Sequence, residues 1–341
     1  MAKIQNSSAQ RNCSIDMFRL LFAVYVVAIH STPAFLDNFP FLSLTISSAL
    51  RFAVPFFFMV SGYYFFKNAN NVTFKYMFTY VKRIVIIYFF WSCLYFVINF
   101  IKWGHTSIVG FAIDCIYSVF LTGSYYHLWY FPALIFAVCV SALLCRFGCK
   151  KLLFGFSIVM YPLCYLISEY QIFSGFPAVS VVEKAVSLLQ PMATGLFYFG
   201  CGQLIEFCYD KWSSSKKSNS LVYVLPISVI LWFILIWIDD FFALSLELLI
   251  ILGIYINVGM TVLVLLLKPM EKNVVAAKKC RYLANFIYYS HPLYHYILEL
   301  FNNNWLHLSD CWKFPITVIL TVASGLLLYR MNNKHINRFI C

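Results

Sequence analysis

The sequence predicts an all-α integral membrane protein, a single bundle of about ten transmembrane helices with both termini cytoplasmic. Three observations predict it. The 341 residues are 62% hydrophobic and only 11% charged, more apolar surface than a soluble domain can hide. Many windows of about 18 or more residues carry few charges, the length and composition of a membrane-crossing helix. Basic residues also fall in alternate connections, as the positive-inside rule requires.

The spans follow in order, each bounded by a polar or basic break. The first, 16–36, comes after Lys3 and Arg11. Its apolar run is longer than a signal-peptide core and no A-x-A site follows, so it is expected to stay uncleaved. The second, 49–66, contains Pro55, Ser61 and Gly62; the third, 80–101, opens on Lys82 and Arg83. The stretch 106–123 is apolar but amphipathic, with Asp114 in its middle, and reads as a helix lying at the interface rather than a span. Spans are then expected at 127–146, 150–169 and 191–208. After the cytoplasmic linker "DKWSSSKKSNS" (210–220) come 220–238, then 242–267, which is long enough to tilt, and finally 284–302 and 313–330. The chain reads as one membrane-embedded domain, 1–341, with no internal repeat and no soluble domain.

Charge supports this arrangement. With the N-terminus inside, the cytoplasmic connections hold twenty of the twenty-five basic residues. The outer side holds four: Arg51, Lys102, Lys184 and Lys313. Asp37, Asp114, Glu183, Asp239, Asp240 and Asp310 collect on the outer side instead. The net charge of +12 is thus a topology signal and not a nucleic-acid footprint. The 20% aromatic share suits headgroup anchoring and bundle packing. Twelve cysteines lie scattered, mostly in apolar segments, with no C-x-x-C pair and no zinc spacing. Cys115 and Cys311 both fall on the predicted outer face. There is no G-x-S-x-G elbow, P-loop or H-x4-D box, so soluble hydrolase, nucleotide-driven and glycerolipid acyltransferase chemistry lack support.

Chemistry is left to the bundle and its mouths. "DMFRLLFAVYVVAIHS" (16–31) keeps Arg19 and His30 in an otherwise apolar helix. Eleven residues turn an α-helix through roughly 20° beyond three full turns and raise it about 16 Å. The two side chains therefore share one face, Arg19 near the inner surface and His30 in the outer half, as two stations of a polar track. An intramembrane histidine suggests function by default and is a suitable general base, although a hydrogen bond to a neighbouring helix also accounts for it. Arg19 alone is equally a snorkelling residue. Asp16 is placed to orient Arg19 through an i, i+3 pair, or to satisfy the helix N-terminus.

The same stretch, with its "D-x-x-R" before "R-x10-H", resembles the opening helix of the acyltransferase-3 family of integral membrane acyltransferases. Four further blocks resemble that family in order. They are "RFAVPFFFMVSGYYFFK" (51–67), "YVKRIVIIYFFWS" (80–92) with Arg83, Tyr88 and Trp91, "YHLWYFPALI" (126–135), and "NFIYYSHPLY" (285–294) with Tyr288 and His291. The second of these departs from relatives that carry proline before the tyrosine, where this chain has Ile87. In "VPFFFMVSGY" and "LWYFPAL" the chain is similar to the membrane domain of membrane-bound serine racemases, and no racemase activity is expected of the bundle.

The resemblance implies acyl transfer, usually acetyl from acetyl-CoA, onto a cell-envelope carbohydrate or other extracytoplasmic acceptor at the cell membrane. It implies that Arg19 and His30 are essential. For an acyl-CoA donor, the inner-side cations Lys82, Arg83, Lys278, Lys279 and Arg281 suit its phosphates, with Arg19 beside them. Arg19 is equally placed for a developing oxyanion. His30 is the candidate base. Ser61 reads as a relay or as a small packing residue, and Tyr288 and His291 as supporting residues. His127 and Trp129 are expected at the outer mouth, on the acceptor side. His291, His295 and Glu299 recur every four residues, a spacing compatible with a metal. Pro292 is expected to disturb the helix between them and no further ligand is evident, so no metal is expected. His105, His307 and His335 read as loop or terminal residues. The alternative function is an amino-acid (serine-like) transporter or ligand-binding module using the same track without thioester chemistry.

Overall fold

The computed structural model describes residues 12–31, 39–67, 74–102, 107–149, 155, 179–213, 218–244, 246–268, 273–302 and 310–340. Lys3, Arg11, Asp37, His105, His307 and the predicted fifth span (150–169), apart from residue 155, lie outside the described residues. Among the described residues every regular element is helical. Five helical stretches are long and apolar enough to cross a membrane: Pro40–Lys67, Phe74–Ile101, Ser220–Phe242, Leu249–Leu267 and Lys313–Met331.

The helices are α1 (Cys13–Ile29), α2 (Pro40–Leu50), α3 (Ala53–Lys67), α4 (Phe74–Lys102), α5 (Ile108–Tyr117), α6 (Tyr130–Arg146), α7 (Val179–Trp212), α8 (Ser218–Phe242), α9 (Glu247–Leu267), α10 (Val274–Phe301), α11 (Lys313–Met331) and the short α12 (Lys334–Asn337). The chain divides into two compact units. One holds residues 1–56, 208–246 and 252–341; the other holds 57–207 and 247–251.

In the first unit α1 packs chiefly on α10, and α10 also packs on α11. Helix α10 is central: from Tyr282 to Pro292 every residue except the half-buried Asn285 is buried. A helix covered on all sides can carry polar side chains that lipid would not accept. This is why α10 is rich in Tyr, His, Asn and Ser and yet internal. Gly325 of α11 lies against Leu283 and Phe286, where an added Cβ would crowd both side chains. Asn285 Nδ2 donates to the Ile340 carbonyl at 2.9 Å, tying the C-terminal turn to α10.

Two boundaries differ from the sequence expectation for local reasons. Helix α1 starts at Cys13 because the Asn12 side chain caps it, accepting from the Ile15 N–H at 3.1 Å. It ends at Ile29 with His30 as the capping residue. The predicted second span begins earlier, at Pro40, a residue suited to a first helical turn, and turns at Arg51 and Phe52 between α2 and α3.

In the second unit α4 packs on α6. Helices α3 and α7 approach closely at Gly62 and Gly202: a Cβ on Gly62 would collide with the Phe199 carbonyl oxygen, and one on Gly202 with the Tyr63 nitrogen. Helix α5 continues into a π-helical turn, Ser118–Thr122. Ile108, Val109, Ile113 and Ile116 are exposed along it, and as a single helix it is too short to cross a bilayer. Gly123 ends the π turn at φ 85°, where any side chain would strike the backbone of Trp129.

Candidate active site

Helix α1 presents Arg19 and His30 to the interior of the first unit. The buried residues Ile15, Asp16, Phe22, Ala23, Val26 and Val27 define its packed face, and Met17 and Leu21 define the exposed one. At about 100° per residue, Arg19 and His30 fall within the packed arc and opposite Met17 and Leu21. His30 caps the helix at φ −96° and ψ 0°, near enough to helical values to keep that phase.

At the N-terminal end of α1, Arg19 Nη1 donates to Asp16 Oδ1 at 3.2 Å, with the side chains 20% and 6% exposed. Asn12, not Asp16, caps the helix, so the carboxylate serves the guanidinium. Asp16 also lies within electrostatic reach of Cys280 on α10. At the other end, the His30 ring stacks on that of His291, with centroids 5.6 Å apart and planes within 16°. Helices α1 and α10 therefore run in the same direction. Lys278, Lys279 and Arg281, which flank Cys280, lie at the Asp16–Arg19 end. Lys278 and Lys279 are exposed and Arg281 is half-buried.

His291 is 1% exposed. Its Nδ1 lies 3.1 Å from the Ile287 carbonyl and 3.0 Å from that of Tyr288. Contrary to expectation, Pro292 does not interrupt the helix: α10 runs through it from Val274 to Phe301. The carbonyl that a residue-292 N–H would have engaged belongs to Tyr288, and the His291 ring takes it instead. Tyr288 is itself buried, with its ring edge-on to Tyr289. His295 is half-buried one turn further along, within electrostatic reach of both His30 and His291.

The second unit holds the other predicted residues. Lys82 and Arg83 are exposed on α4. Ser61 Oγ lies 3.3 Å from the Tyr130 hydroxyl, beside the Gly62 contact, so it takes part in helix packing. His127 is buried at 2% exposure, edge-on to Tyr95, Tyr125 and Tyr126, while Trp129 is half-buried at the start of α6. Around them lies a polar cluster that sequence reasoning missed. Tyr88 donates to the Val119 carbonyl at 2.9 Å, Ser92 and Ser124 share a 2.6 Å hydrogen bond, and Asn99 donates to the Ser124 carbonyl at 3.1 Å. Its sequence signal is the run of Tyr88, Ser92, Tyr95 and Asn99 at spacings of three and four on α4. Among the described residues, Cys115 and Cys311 are not joined in a disulfide.

Comparison with known proteins follows the same lines. A family model described as an acyltransferase domain matches residues 12–330. An amino-acid racemase of Enterococcus faecalis is 38% identical over 156 residues, 43% of this chain and 21% of that protein. A serine/alanine racemase of Enterococcus gallinarum is 33% identical over 152 residues, 41% of this chain and 21% of that protein. The chain thus matches about a fifth of the length of these curated relatives. No solved structure matches.

Proposed function

The chain belongs to the acyltransferase-domain family, matched over nearly its whole length, and we propose that it moves an acyl group, most simply acetyl, from cytoplasmic acyl-CoA to a hydroxyl of an extracytoplasmic cell-envelope acceptor. The observation that carries this reading is the polar face of α1. There Arg19 is held by Asp16 at one end and His30 is stacked on His291 at the other.

Arg19 and His30 are about 16 Å apart along the helix axis, too far to act on one carbonyl. They therefore divide the work. Arg19, with Lys278, Lys279 and Arg281 at the same end of α10, receives the phosphate or pantetheine oxygens of the donor. The thioester reaches His30 on the flexible arm. The imidazole of His30 takes the proton of the acceptor hydroxyl as its oxygen attacks the thioester carbon. A C–O bond forms, the C–S bond breaks, and the proton passes from His30 to the leaving thiolate. The products are an acylated acceptor and free CoA. In this reading Lys82 and Arg83 add cations on the cytoplasmic side, and Trp129 lies on the acceptor side with His127 enclosed among its tyrosines. The chain works as a multi-pass protein of the cell membrane with both termini inside, and its partners are the bilayer, acyl-CoA and a glycan or small-molecule acceptor.

The test is mass spectrometry of envelope glycans from cells with and without the gene. Loss of an acetyl mass that returns with the wild-type gene supports the reading; identical glycans and no acyl-CoA-dependent thiol release refute it. The racemase names of the relatives favour one second reading, an amino-acid transport or binding module. Vesicles would then accumulate serine or alanine with no thiol released.

A further inference from the structure

We propose that His291 is the positioning residue of His30, held in a single tautomer by two backbone carbonyls of its own helix, one of which Pro292 sets free. This rests on the reading of His30 as the base.

An α-helical N–H at position 292 would bond to the Tyr288 carbonyl, but proline has none. The His291 ring fills that vacancy through Nδ1, 3.0 Å from the Tyr288 oxygen, and shares the Ile287 oxygen at 3.1 Å. Carbonyl oxygens only accept, so Nδ1 carries the hydrogen and the neutral ring keeps its lone pair on Nε2. The ring is thus fixed in orientation by two anchors, at 1% exposure, with one face turned to His30 at 5.6 Å and 16°.

The arrangement defines what His291 does. Near-parallel stacking directs neither ring nitrogen at the other ring, so the pair is not a proton wire. Two neighbouring imidazoles inside a membrane protein cannot both become cations cheaply, and His295 adds a third within electrostatic reach. His291 is the more deeply buried ring, at 1% exposure against the half-buried His30, which leaves His30 as the ring that takes the proton. Its flat face fixes the plane of His30 and lies against the imidazolium that forms. A proline inside a helix is costly, and here it removes the N–H that would compete with the His291 ring for the Tyr288 carbonyl.

The test uses the full chain in lipid vesicles, labelled with 15N-histidine, and the variant Pro292→Ala. Alanine is a better helix former, so the variant folds, and it returns an N–H to compete for the Tyr288 carbonyl. His291 and His30 signals are assigned by difference with His291→Phe and His30→Gln. In the wild type His291 shows one tautomer, protonated on Nδ1. In Pro292→Ala it shows two, the His30 signals shift, and kcat for acyl transfer falls about tenfold while KM for acyl-CoA stays within about twofold. Protonation on Nε2 in the wild type overturns the proposal, as do unmoved His30 signals or an unchanged kcat in the variant. If the wild type transfers no acyl group, the proposed reaction fails, and the tautomer and His30 signals alone then decide the lock.

Discussion

Arg19 and Asp16 form a hydrogen-bonded ion pair one turn apart on α1, with Nη1 to Oδ1 at 3.2 Å and the carboxylate almost wholly enclosed. A snorkelling arginine would extend away from the packed face toward headgroups. This one is tied to the enclosed Asp16 carboxylate on the packed face, so the guanidinium is oriented.

The pair predicts a graded response. Arg19→Lys keeps the charge but loses the planar fork. Turnover should fall about tenfold, the loss expected from one charge-assisted hydrogen bond. Asp16→Asn should act in the same direction and more weakly. Steady-state kinetics over a range of acyl-CoA concentrations check this; wild-type behaviour of Arg19→Lys returns Arg19 to a purely anchoring role.

Lys278 and Lys279 share the Arg19 end of the first unit and are exposed. Replacing both with Glu should raise KM for acyl-CoA several-fold, with kcat nearly unchanged. The effect should shrink as salt rises, because exposed charges are screened beyond about 8–10 Å at ordinary ionic strength. Initial rates at two salt concentrations measure both.

The Gly62–Gly202 contact is a matter of stability. A methyl at Gly62 meets the Phe199 backbone rather than a movable side chain. Gly62→Ala should cost about 1–3 kcal/mol, the usual penalty of overpacking. Gly259, with nothing within 4 Å of an added Cβ, is the control: Gly259→Ala should leave thermal stability unchanged or slightly raised. Thermal unfolding of the purified protein in detergent, read by loss of the monodisperse species, compares the two.

Much of this was legible in the sequence because it depends on local geometry. Eleven residues of helix place Arg19 and His30 on one face whatever surrounds them, and three residues place Asp16 beside Arg19. The helical class follows from the apolar composition together with the length of the apolar windows. What was not legible depends on partners far along the chain. Nothing near His30 indicates that His291, more than 250 positions later, supplies the opposing ring. Helix α10 looks weakly apolar because its neighbours, not lipid, cover it. The local rule expects Pro292 to disturb the helix. The rule missed that the preceding histidine can take up the carbonyl that proline abandons. Nor does the sequence around His127, at the start of a span, show that the rings of Tyr95 and Tyr125 enclose it.

The most direct measurement is transfer of isotope-labelled acetyl from acetyl-CoA to envelope material by membrane vesicles carrying the wild-type chain or His30→Ala at matched amounts of inserted protein. A general base contributes about 10²–10⁴-fold. Wild-type vesicles should therefore label the envelope fraction and release CoA thiol in equal amounts, and His30→Ala vesicles should fall at least a hundredfold on both. Equal labelling by the two would contradict the assignment of His30 as the base of this reaction.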